Sequence, residues 1–102
     1  MQQRIYISGK ISNLPYAEVV DKFAAAELKL AAAYPGCAIE NPIRITGHLP
    51  QTEPWETFMR LCLEALTKCT HIYMLKDWTR SPGARVEIKL AIDLGLTIIF
   101  EP

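Results

Sequence analysis

Four short apolar, β-favouring runs alternate with helical segments, and this alternation confines the chain to a parallel-sheet architecture. Arg4-Ile5-Tyr6-Ile7-Ser8 is the first run and stops at Gly9. A helix is predicted from about Pro15 to Ala33, with Val19, Phe23, Ala26 and Leu30 at helical spacing, until Tyr34-Pro35-Gly36 breaks it. Cys37 to Asn41 is the second strand, stopped by Pro42, and a loop of turn residues then leads to Pro54. There a helix begins with Trp55, Met59, Cys62 and Leu66 on one face. His71 to Leu75 is the third strand and Leu96 to Phe100 the fourth, with one more helix between them. Parallel neighbours need crossovers, so the expected fold is α/β: a four-stranded parallel sheet with helices on both faces. No repeat or low-complexity tract divides it, and residues 1–102 read as one domain.

Composition removes several function classes. The formal net charge is zero, which argues against a nucleic acid polymer or an anionic membrane surface as partner. No apolar stretch approaches the roughly 18 residues of a membrane span, and the N-terminus shows no signal-peptide pattern. Cys37, Cys62 and Cys69 are odd in number and lack close-pair spacing, so they read as reduced thiols of a cytoplasmic protein. No metal or cofactor is expected. Trp55, Phe58, Met59 and Cys62 exceed what one short helix needs for its own sheet contact, so a homodimer or larger homo-oligomer is expected.

Ligands of open α/β sheets bind beyond the carboxyl ends of the strands. Those ends hold Ser8, Gly9 and Lys10, then Asn41 and Pro42, then Lys76, Asp77 and Trp78. The last helix starts at the same edge, with Ser81 as N-cap, Pro82 at its first position and Gly95 as its stop. Arg85, Lys89 and Asp93 share one stripe of it. Gly83, Ala84, Val86, Leu90, Ala91 and Leu94 fill the opposite arc, with Glu87 in the middle. A glutamate facing a core must be paired, protonated or chemically engaged. It lies one to two turns below the rim, near a helix N-terminus that favours anions.

Tyr6-Ile7-Ser8-Gly9, Asn41-Pro42, Trp55-x-x-x-Met59 and Trp78-x-x-Ser81-x-Gly83-Ala84-x-x-Glu87 carry a resemblance over essentially the whole chain. It resembles a small bacterial and phage family related to the nucleoside 2-deoxyribosyltransferases and the 2′-deoxynucleoside 5′-phosphate N-hydrolases. The resemblance implies a three-layer, flavodoxin/Rossmann-like sandwich that is normally at least a dimer. It also implies that Glu87 is the nucleophile attacking C1′ of a deoxyribose. Ser81 and Gly83 would lie near the sugar 5′ side or a phosphate, and Tyr6, Ser8 and Gly9 would border base and sugar. The relatives carry an acid just before or at the start of the third strand, where this chain has Thr70-His71. Asp77 is the candidate replacement. Lys10 stands where the relatives tend to have proline or a small residue.

Displacing a base from C1′ passes through an oxocarbenium-like transition state that a carboxylate can stabilise and capture. A 5′-phosphate would suit the N–H groups near Ser81 and Gly83, helped by Lys10, Arg80 or Arg85. Asn41 joins the substrate-binding candidates from the rim, and Trp78 could stack on a base or equally cover the core. Two functions stay open. One is N-glycosidic cleavage or exchange on a nucleoside or 2′-deoxynucleoside 5′-monophosphate. The other is a non-catalytic pocket of the same fold that senses or sequesters a nucleotide.

Overall fold

The structure, a computed structural model, describes residues 2–102. Its sheet is β1 (Arg4–Ser8), β2 (Ala38–Glu40), β3 (His71–Met74) and β4 (Thr97–Phe100), all parallel, in the order β2-β1-β3-β4. The helices are α1 (Tyr16–Ala33), α2 (Pro42–Thr46), α3 (Trp55–Thr67) and α4 (Pro82–Asp93), with a single 3-10 turn at Trp78–Arg80. The chain leaves β1 toward β2 and returns to β3 on its other side. Strand order therefore reverses at β1 and β3, and a crevice opens beyond their carboxyl ends.

The alternation of side chains along β1 sorts the core into two layers. Ile5 and Ile7 point to α1, where they meet Val19, Phe23, Ala26 and Leu30 together with Tyr73 and Leu75. Tyr6 points the other way, into a core with Cys62 and Leu66 of α3, Ala84 and Ala91 of α4, and Ile72 and Met74 of β3. The molecule is thus a three-layer sandwich, α1 on one face and α3 with α4 on the other. A one-residue slip of β1 would exchange the two sets. Tyr6 and Ser8 consequently face α4 from directly below it.

Three departures from the expected pattern have local causes. The segment after β2 is not all loop. Asn41 Oδ1 accepts from Ile43 N at 2.9 Å and Pro42 takes the first helical position, so Asn-Pro starts α2 as well as ending the strand. On α4 the buried line is Ala84, Glu87 and Ala91, while Val86 and Leu94 are 43% and 50% exposed. The Ser81 hydroxyl sets this rotation, accepting from Ala84 N at 3.1 Å while it donates to Gly9 O at 3.4 Å. The two alanines let the helix sit close to the sheet and put Glu87 at the centre of the buried face. The helix ends as expected: Gly95, at φ +77°, donates to Ile92 O, and Leu96 donates to Ala91 O. Third, the apolar face of α3 is less bare than expected, because Cys62 is buried and Phe58 and Met59 are partly so.

Gly9 is required by a close approach. A Cβ there would lie 2.6 Å from Leu75 Cδ1 and 2.9 Å from Leu75 Cβ, and Leu75 is fixed in the α1-side core. The backbone after β1 can therefore cross the end of β3 only without a side chain.

Among the described residues no helix is long and apolar enough to cross a membrane, and no three His, Cys, Asp or Glu side chains converge as a metal site would need.

Candidate active site

Glu87 is 5% exposed and has no cationic partner among the described residues. Its carboxylate accepts two hydroxyl hydrogen bonds instead, from Tyr6 at 2.6 Å on Oε2 and from Ser8 at 2.7 Å on Oε1. Burial pushes the Glu87 carboxyl up from 4.5 to about 7, partly opposed by the two hydroxyls, which favour its ionised form. Burial first, then the charge of Glu87, raise the Tyr6 phenol well above its ordinary value, so it stays a donor. Burial likewise pushes the neighbouring Cys62 thiol up to about 11, which keeps it out of thiolate chemistry.

A cavity of about 330 Å³ opens against Glu87, within the ~300–1,000 Å³ range of small-molecule sites. The α4 wall is Ser81, Gly83, Ala84 and Glu87. Trp55, Phe58 and Met59 of α3 form a second wall, with Trp55 still 46% exposed. The loop after β1 supplies Ile11 and Asn13 and the start of α1 supplies Tyr16; α2 and its exit loop supply Thr46, Gln51 and Glu53. Flat aromatic side chains therefore flank a buried carboxylate, an arrangement able to hold a planar ring beside a reacting carbon. A Cβ on Gly83 would lie 3.1 Å from Met59 Sδ, so the glycine keeps the α3 and α4 walls close.

The residues singled out from the sequence divide into three groups. Glu87, Gly9, Ser81 and Gly83 line the cavity, and Tyr6 and Ser8 bind the Glu87 carboxylate from below. Asn41, Trp78, Asp77 and Lys10 do not line it. Asn41 caps α2 and donates to Glu27 at 3.2 Å, and Trp78 packs on the core and against Phe100, ring centres 6.1 Å apart. Asp77 is engaged away from the cavity lining. It accepts from Lys22 Nζ at 2.6 Å and from Lys10 N at 3.0 Å, and so pins the loop that leaves β1. Burial alone would raise its carboxyl, but the Lys22 and Lys10 bonds and the Lys22 and Arg80 charges outweigh this and hold it below its ordinary value. The Lys10 ammonium turns to Arg80 O at 3.3 Å.

The basic residues expected to help hold a phosphate do not line the cavity. No Lys, Arg or His lines the cavity among the described residues, and Arg80 and Arg85 are exposed outside it. At the α4 N-terminus Pro82 has no N–H, Ser81 itself caps Ala84, and Arg85 N donates to Ser81 O. Only the Gly83 N–H is left to the first turn. Sequence reasoning missed Glu53, Gln51 and Tyr16 as wall residues. Glu53 and Gln51 come from a loop whose path depends on α2, of which the Asn41-Pro42 helix start was the available sign, and Tyr16 stands at the start of α1.

The chain belongs to the family described as a domain of unknown function, DUF4406, whose model matches residues 3–100. No curated protein matches it in sequence.

Proposed function

We propose that this protein cleaves or exchanges the N-glycosidic bond of a nucleoside, with Glu87 attacking C1′ of a 2′-deoxyribose. The observation that carries this reading is a buried carboxylate with no cationic partner among the described residues, aimed by two hydroxyls and bordering an aromatic-walled cavity. An ion pair would neutralise a nucleophile, whereas hydroxyl donors orient it and leave its charge available to an oxocarbenium-like transition state. The raised carboxyl also suits a group that must accept and release a covalent partner near neutral pH. Water then resolves the glycosyl-enzyme to give hydrolysis, and a second base gives transfer.

The test is release of free base from 2′-deoxynucleosides, followed by chromatography, for the native protein and for Glu87→Gln. Base release that vanishes in the variant, with the fold retained by circular dichroism, supports the mechanism; equal turnover in the two proteins removes it. A second reading, a pocket that binds without cleaving, is favoured by one observation. Where the enzymes that the sequence resembles carry an acid, Thr70 and His71 are bonded to each other at 2.7 Å. Binding of an intact nucleoside with no base released over hours would select that reading.

A further inference from the structure

We propose that Glu53 is the acid that gives a proton to the departing base, an inference that rests on the reading of Glu87 as the nucleophile. Glu53 and Glu87 are the two carboxyl groups lining the cavity. Glu53 is partly buried, and its position is held by a turn in which its N–H donates to Pro50 O at 3.1 Å. What sets it apart is the lack of a partner. Every other buried or half-buried carboxylate is engaged: Glu27 and Glu40 pair with Arg44 and Arg4, Asp77 with Lys22, Glu87 with its two hydroxyls, and Glu101 with Lys76 N. Glu53 alone of these makes no side-chain hydrogen bond or ion pair among the described residues. A partly buried carboxyl group without a protein partner, at the wall of a cavity, is free to engage a ligand.

The wall on which it stands fits the chemistry. Displacement at C1′ puts the base on the side of the carbon away from Glu87, so the acid must come from a different wall. Glu53 enters from the segment before α3, next to Trp55, whereas Glu87 is on α4. The C1′–N bond breaks with its electron pair going to the base, while a Glu87 oxygen forms the new C1′–O bond. Glu53 transfers a proton to a nitrogen of the base, which leaves neutral. Water then attacks C1′, gives its proton to the Glu53 carboxylate and frees Glu87 as a carboxylate. Nucleoside and water become free base and sugar, with both glutamates restored.

The experiment compares two leaving groups. 2′-Deoxyadenosine must be protonated to leave easily, whereas 4-nitrophenyl 2-deoxyriboside releases a phenolate that is stable unprotonated. Glu53→Gln should lower kcat/KM on 2′-deoxyadenosine by about 10²–10⁴-fold, the span of general acid catalysis, and leave kcat/KM for the nitrophenyl substrate, which reports only the bond-breaking step, within about threefold. Glu53→Asp should recover part of the loss. Equal losses on both substrates would make Glu53 structural, and no loss on either would make it a bystander. Each result overturns the proposal while leaving Glu87 in place. Glu87→Gln should abolish both reactions. Native protein inert toward both substrates would overturn the reading of Glu87, and this proposal with it.

Discussion

The Tyr6 hydroxyl reaches Glu87 Oε2 at 2.6 Å, a bond between residues 81 positions apart in the chain. It exists because β1 turns its even-numbered side chains toward α4 and because α4 turns Glu87 toward the sheet. Ser8, two residues along the same strand face, completes the pair. The strand thus presents both donors to one carboxylate without using any loop.

Removing one donor should shift a pH profile in a known direction. Hydroxyl bonds to an ionised carboxylate favour ionisation, so Tyr6→Phe should raise the Glu87 carboxyl further above about 7. Base release requires ionised Glu87 and should rise with pH through that region. In the variant this limb should lie at higher pH, by up to about one unit, the equivalent of about 1.4 kcal/mol. A kcat/KM profile checks the sign, and a limb moving to lower pH would contradict it.

Stability should move against function at the same residue. The folded-state carboxyl titrates near 7 and its ordinary value is 4.5, so the folded protein holds this proton more tightly than the unfolded chain. The associated stability is present below pH 4.5 and lost as pH rises through about 7, in total about 3 kcal/mol. Glu87→Gln, which keeps an acceptor and stays neutral, should therefore unfold at higher temperature than the native protein at pH 8. The gap should close near pH 5. Thermal melts at the two pH values decide it; a variant less stable at pH 8 would show that the lost charged hydrogen bonds outweigh desolvation.

A 5′-phosphate should weaken binding. The cavity has two carboxyl groups and no cation among its lining residues, and α4 is capped by its own Ser81. A 2′-deoxynucleoside should bind more tightly than its monophosphate by about tenfold, or ~1.4 kcal/mol. Calorimetry with the paired ligands measures it. A tighter monophosphate would assign the Gly83 N–H a phosphate role after all.

Asp77 should matter for binding and little for chemistry. Through Lys22 and Lys10 N it holds the loop carrying the Ile11 and Asn13 wall. Asp77→Asn should raise KM severalfold with kcat retained, and lower stability by on the order of 1 kcal/mol, since both partners are partly exposed. A kcat collapse at unchanged KM would return Asp77 to the reacting centre.

The strand and helix pattern was legible in the sequence because it is written in local periodicity. Val19, Phe23, Ala26 and Leu30 are the buried side chains of α1 as their spacing demanded, and β1 runs from Arg4 to Ser8 as its composition did. Local signals also carried the Ser81 cap, the Gly95 stop and the inward-facing Glu87, because capping and helical phase involve only a few neighbouring residues. Which side chains meet Glu87 was not local. Tyr6 and Ser8 reach it only through sheet register and the exact rotation of α4, which its alanines and the Ser81–Gly9 bond set, leaving Val86 and Leu94 outside. Asp77 and Glu53 show the same division. Both are acids in polar loops, and nothing in their immediate neighbours separates them. Only the tertiary path of the chain puts Lys22 beside one and a cavity beside the other, because charge pairing and enclosure depend on segments distant in sequence.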